Sequence, residues 1–204
     1  MRKAAGILAV VSLAALGLLQ AAPSGAAAPM CMGRAATIVG TPGNDVIRGT
    51  SEPDVIVGGG GKDIIDGLAK DDYICGGKGA DKLYGSFGND RISGGGGNDT
   101  IDGGPDMDVA SYESATGAID ININGSKAIA GPDKIRGIET VFGSPFADTM
   151  VTQNGIVAIH GGPGNDKLYS KNGGAMVGGA GSNKCYRWQF VYGLNAMGFL
   201  PAPC

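Results

Sequence analysis

Aromatic side chains are scarce in this chain, 6% of 204 residues with one tryptophan, and there is a single histidine. So few large rings argue against a bulky globular core. One histidine and four cysteines, none of them in a C-x-x-C pair, leave almost nothing from which to build a Cys/His zinc centre. A G-x-S-x-G nucleophile elbow does not occur, and Gly61-Lys62 lacks both the upstream glycine and the following Ser/Thr of a phosphate loop. His160 has Asp166 close in sequence, but an adjacent carboxylate is not a triad. It therefore reads as a strand-edge residue, and no catalytic residue is assigned. With a formal charge of −3 and no Lys/Arg cluster to follow a phosphate backbone, nucleic acid is not an expected partner.

Long apolar runs are confined to the start. Arg2 and Lys3 precede the apolar stretch from Ala4 to Leu19, and Ala26-Ala27-Ala28 offers small residues for cleavage. Residues 1–28 are therefore expected to be a secretory signal, with Ala22 an alternative cleavage point. No later segment is long and apolar enough to span a bilayer, so no membrane insertion is expected and the product should be secreted and extracellular. Losing Arg2 and Lys3 leaves the remainder more acidic, which favours cations as partners. Four cysteines (Cys31, Cys75, Cys185 and Cys204) are an even number, which in an exported chain favours two disulfides.

Glycine is what the chain has in excess, 39 residues of it, and it is periodic. It falls at 40, 49, 58, 67, 76, 85, 94 and 103. Five residues after each comes Asp45, Asp54, Asp63, Asp72, Asp81, Asp90, Asp99 and Asp108. Two further on sit Ile47, Ile56, Ile65, Ile74, Leu83, Ile92, Ile101 and Ala110. Turn preference alone would scatter Gly and Asp without locking them to an apolar residue two positions later. A second block is worn: Gly143 to Met150 and Gly161 to Leu168 are in phase, the unit between keeps only Ile159, and Gly178 to Cys185 follows a one-residue deletion with Asn183 in the aspartate place. The joining segment holds the alternating Ile119-Asp120-Ile121-Asn122-Ile123, a strand pattern. Asp66, Asp102 and Asp120 fall outside the sixth position and are expected at the surface.

Gly58-Gly59-Gly60-Gly61-Lys62-Asp63-Ile64-Ile65-Asp66 and Gly94-Gly95-Gly96-Gly97-Asn98-Asp99-Thr100-Ile101-Asp102 carry a recognised motif in full. The chain resembles the hemolysin-type (RTX) calcium-binding repeat family. That resemblance implies an all-β parallel β-roll, each unit spending six residues in a turn and three in a strand, with two units to a coil. It also implies Ca2+ as the cofactor. Calcium takes 6 to 8 oxygen ligands, which aspartates and glycine-freed carbonyls of stacked turns can supply. Without the ion, columns of like charge repel and glycine-rich turns lose entropy on ordering, so the calcium-free chain should be largely disordered.

Because successive units alternate sides, two aspartate columns are expected, which should be unequal. Asp45, Asp63, Asp81 and Asp99 go with fourth-position Gly43, Gly61, Gly79 and Gly97. Asp54, Asp72, Asp90 and Asp108 go with Glu52, Lys70, Gly88 and Asp106. Asp148 and Asp166 complete the candidate metal ligands. The expected organisation is the signal (1–28), an N-terminal cap (29–39), a first block (40–111), connecting strands (112–142), a second block (143–184) and an aromatic cap (185–204). Tyr186, Trp188, Phe190 and Tyr192 alternate in that cap, which a Cys185–Cys204 bridge would close, leaving Cys31 for Cys75. Only about eleven residues separate the signal from the repeats, so a catalytic domain is not expected there. The function expected is calcium binding in a structural or interaction role. The alternatives are adhesion to a cell-wall or matrix glycan or protein through the C-terminal aromatics, or a polysaccharide-modifying enzyme using the groove between the blocks.

Overall fold

A computed structural model describes residues 28–122, 127–129, 132–152, 158–171, 174–191 and 196–204. The expected signal, apart from Ala28, lies outside the described residues, as do Ile123 and Tyr192. No helix among the described residues is long and apolar enough to cross a membrane.

A short hairpin, β1 (Met30–Cys31) with β2 (Arg34–Ala35), precedes β3 (Ile38–Val39). The first block then contributes β4 (Val46–Arg48), β5 (Val55–Gly60), β6 (Ile64–Ala69), β7 (Tyr73–Lys78), β8 (Lys82–Phe87), β9 (Arg91–Gly96), β10 (Thr100–Asp102) and β11 (Val109–Ser111). Alternate strands go to opposite sheets. Strands β4, β6, β8 and β10 stack in parallel on one face, and β3, β5, β7, β9 and β11 on the other. Registers step by 18 residues, as in Ile47 against Ile65 and Ile56 against Ile74. The roll is a parallel β-solenoid. Five of its strands, β5 to β9, run on through the first three residues of the following unit, so the sharp turn there is confined to positions four to six. The six-residue turn expected from sequence is longer than the one observed.

The connector is a meander of β12 (Asp120–Asn122), β13 (Lys127–Ile129) and β14 (Pro132–Arg136), antiparallel within itself but parallel to β10 at one side and to β16 (Thr149–Thr152) at the other. The opposite sheet passes without interruption through β15 (Thr140–Phe142), β17 (Ala158–His160) and β19 (Ala175–Val177). Strand β18 (Lys167–Ser170) stacks on β16. The face ends in β20 (Lys184–Val191) paired antiparallel with β21 (Ala196–Ala202). The register from Leu168 to Cys185 is 17 residues, which accommodates the deletion.

Each unit sends one apolar side chain inward, and these fill the space between the sheets. Ile56, Ile65, Ile74, Leu83, Ile92 and Ile101 are completely buried, and Val141, Met150, Ile159 and Leu168 continue the column. Each such burial is worth about 1.5–3 kcal/mol, but a core one side chain thick can form only when coils stack. Both disulfides join the expected partners. Cys31 bridges to Cys75 with Cα atoms 5.7 Å apart, which staples the N-terminal hairpin over the coil of β7. Cys185 occupies an inward position and bridges to Cys204, 5.4 Å between Cα atoms, which closes the last hairpin.

Candidate metal-binding turns

The two aspartate columns fall as the alternation requires, one along each edge of the roll. Every rung is made in the same way. The backbone N–H of Asp45 donates to Oδ1 of Asp63, that of Asp63 to Asp81 and that of Asp81 to Asp99, each at 2.8 Å. Along the other edge Asp54 donates to Asp72, Asp72 to Asp90 and Asp90 to Asp108, again at 2.8 Å. In the second block the N–H groups of Asp148 and Asp166 donate to Oδ1 of Asp166 and of Asn183, both at 2.9 Å.

Three residues of the connector extend these ladders, a role not expected of any of them from sequence. Asp133 accepts from the N–H of Asp99 at 2.7 Å, and Glu139 from that of Asp108 at 2.9 Å. Ile119 stands in the aspartate place below Asp148, to whose Oδ1 its N–H donates at 2.8 Å. A signal existed, since Asp133-Lys134-Ile135 and Glu139-Thr140-Val141 keep the acid–x–apolar triplet. They had lost the glycine spacing that made the other units visible.

One oxygen of each carboxylate is thus used inside the protein; the other decides the chemistry. Oδ2 of Asp63, Asp72, Asp81, Asp90, Asp99, Asp108 and Asp166 is buried with no hydrogen-bond partner. An ionised carboxylate is acceptor-only, and a buried unsatisfied one is costly unless a cation compensates it. Carbonyls approach the same corners. Oδ2 of Asp63 and the carbonyl of Gly76 lie 2.6 and 2.5 Å from where a Cβ on Gly58 would stand, so no other residue fits there. At Gly76 the corresponding pair is Asp81 Oδ2 and the Gly94 carbonyl, both at 2.6 Å. Among the described residues no three His, Cys, Asp or Glu side chains converge on one point. A cation held here would take backbone carbonyls as well as carboxylates, as a hard cation such as calcium accepts.

The electrostatics point the same way. Burial raises the pKa of Asp72 and of Asp108 to about 7, with neighbouring carboxylates adding to the rise and the rung N–H opposing it. Asp90 and Asp99 rise to about 6 and Asp133 to about 7 for the same first cause. Asp63, Asp81, Asp148 and Asp166 are raised too, again by burial first. Protons and divalent cations therefore compete for these sites. Asp133 differs from the rest, because its Oδ2 faces the buried Tyr112 hydroxyl, which donates at 3.3 Å.

The columns differ in backbone strain. On the first edge Gly61, Gly79 and Gly97 take φ of +107°, +141° and +136°, whereas Gly43, expected with them, is not left-handed. On the second edge Lys70 and Asp106 are forced to φ of +74° and +85°, joined at the second position by Leu68 (+81°) and Ser86 (+75°). Non-glycine residues pay a steric penalty in that region. Asp66 is not a free surface residue: it accepts from the Ser86 hydroxyl at 2.9 Å and the Leu68 N–H at 3.2 Å, bracing this strained edge. Asp102 forms an ion pair with Arg136 of the connector, while Asp120 is exposed as expected. His160 stacks on Phe142 with centroids 4.4 Å apart, and burial lowers its pKa.

Stacked parallel coils, glycine turns and two carboxylate columns define a β-roll repeat protein of the calcium-binding type. The chain belongs to the RTX calcium-binding nonapeptide repeat family, whose profile matches in four copies over residues 39–74, 76–109 and 142–174, just over half of the sequence. No match to a curated protein was found.

Proposed function

We propose that this protein is a secreted, non-catalytic calcium-binding module that folds when it meets calcium outside the cell. The observation that carries this is the set of seven buried, unpartnered Oδ2 atoms, from Asp63 through Asp166, each in a turn of the family's repeat. Calcium supplies positive charge that these oxygens lack. The aspartates, with carbonyls of turns such as those of Gly61, Gly79 and Gly97, are the groups that hold it. The two disulfides fit an oxidising compartment, and extracellular calcium is abundant enough for sites with Kd on the order of 10⁻⁴ to 10⁻³ M. Circular dichroism with and without calcium tests the reading: β-signal and melting temperature should both fall when calcium is removed. An unchanged signal and Tm would sink it.

A second reading, adhesion to a cell-wall or matrix glycan, draws on a groove of about 690 Å³ beneath the N-terminal hairpin. Arg34 lies 4.2 Å over the Tyr73 ring there, and Arg91 stands 3.7 Å from Glu113. Pull-down by insoluble glycans tests adhesion, and turnover of a polysaccharide would turn the reading towards an enzyme.

A further inference from the structure

Ten sixth-position aspartates look equivalent in sequence, yet the structure divides them seven to three. In Asp45, Asp54 and Asp148 the Oδ2 atom already has hydrogen-bond donors. In each case the residue at position two is Thr or Ser, and it donates its N–H to Oδ2 and its hydroxyl to the same carboxylate. The Thr41 N–H and hydroxyl donate to Asp45 Oδ2 at 2.6 and 2.9 Å, while the Thr41 hydroxyl oxygen accepts from the Gly43 N–H at 3.1 Å. Thr50 does the same for Asp54 at 2.7 and 2.9 Å, accepting from Glu52 at 3.1 Å. Ser144 donates its N–H to Asp148 Oδ2 and its hydroxyl to Oδ1, both at 2.7 Å, and accepts from Phe146 at 3.1 Å. In each turn the two donors of the position-two residue, its N–H and its hydroxyl, thus offset the desolvation cost that the other seven carboxylates leave to a cation.

The chain contains its own single-residue comparison. Gly40-Thr41-Pro42-Gly43-Asn44-Asp45 and Gly161-Gly162-Pro163-Gly164-Asn165-Asp166 differ only at position two. With glycine there, Gly162 and Gly164 adopt φ of +84° and +150°, and Asp166 Oδ2 is left buried and unpartnered. With threonine, neither Thr41 nor Gly43 is left-handed, and the carboxylate folds back onto the turn. Backbone sign matters as well as the hydroxyl. Ser86 also stands at position two, but at φ +75° it turns its hydroxyl to Asp66 and leaves Asp90 Oδ2 unpartnered.

We infer that Thr41, Thr50 and Ser144 are specificity-determining residues that exclude calcium from the turns opening each column and the second block. Among the described residues calcium is thereby confined to the seven turns with an unpartnered oxygen. These capped turns are the ones with no glycine turn stacked before them, so a metal-free turn closes each starting end of the roll. The inference rests on the calcium reading above. It is tested on the full, oxidised protein by counting bound Ca²⁺ per chain at saturation. Wild type should hold no more than seven. Thr41→Gly, which recreates the 161–166 hexapeptide, should add one ion, Gly162→Thr should remove one, and Thr41→Ser should change nothing. If Thr41→Gly and Gly162→Thr both match wild type while Asp81→Asn loses one ion, the capping inference is overturned and the calcium reading stands. If Asp81→Asn also loses none, the calcium reading itself fails, and the capping inference with it.

Discussion

The N–H of Asp99 donates to Oδ1 of Asp133 at 2.7 Å across 34 residues, whereas the rungs before it span 18. One carboxylate of the connector thereby continues the first-block ladder without a nonapeptide of its own. Asp133→Ala should leave a buried N–H without an acceptor and cost about 1–3 kcal/mol in a calcium-saturated urea melt. Asp133→Asn retains the acceptor and should cost distinctly less. Equal losses for the two substitutions would mean that the rung contributes nothing.

That rung also marks where the sequence stops being legible. Eight units locked at a period of nine made the fold class, both columns and the inward Ile residues readable, because glycine, aspartate and the apolar residue must each recur for coils to stack. The cysteines were readable for a similar reason: Cys185 shares the inward register of Leu168, and Cys75 ends the unit of Ile74. Asp133 and Glu139 escaped because a ladder needs only an acceptor at the right height, which the chain can deliver by an antiparallel meander at any spacing. The left-handed Leu68 and Ser86 escaped because stacking on the coil beneath imposes their φ, against their own preference.

Strain on the second edge should be removable. Lys70 at φ +74° costs on the order of 1 kcal/mol relative to glycine, partly offset by the flexibility glycine adds to the unfolded chain. Lys70→Gly also removes a positive charge from the turn, so it should lower the calcium concentration at the folding midpoint. For the same reason Asp63→Asn or Asp81→Asn should raise that midpoint more than Asp72→Asn does. Gly79→Ala, whose Cβ would collide with the Gly61 carbonyl, should impair folding at any calcium level. A midpoint unmoved in Lys70→Gly would show that the strain is relieved elsewhere.

The bridges should stabilise unequally. Cys31–Cys75 closes 44 residues and Cys185–Cys204 closes 19, which in the chain-entropy account gives about 4 and about 3 kcal/mol. Paired Cys→Ser variants, melted in saturating calcium, should lose stability in that order. Non-reducing peptide mapping that joined Cys31 to Cys204 would reject the pairing outright.

Acidity should substitute in part for calcium. The pKa values of Asp72, Asp108 and Asp133 stand near 7 and those of Asp90 and Asp99 near 6 in the fold, against about 3.9 for a carboxyl in an unfolded chain. Between those values the folded state binds more protons than the unfolded one, so stability falls as pH rises. The contribution is fully present below about pH 4 and is lost as pH climbs through 6 and 7. A calcium-free sample should therefore show more β-signal at pH 5 than at pH 8. Calcium reverses the slope, because the ion needs the carboxylates ionised; its midpoint for folding should rise as pH drops from 8 to 5. Circular dichroism across that range, at zero and at saturating calcium, checks both signs. A calcium-free roll no more ordered at pH 5 than at pH 8 would show that repulsion along the columns is not what unfolds it.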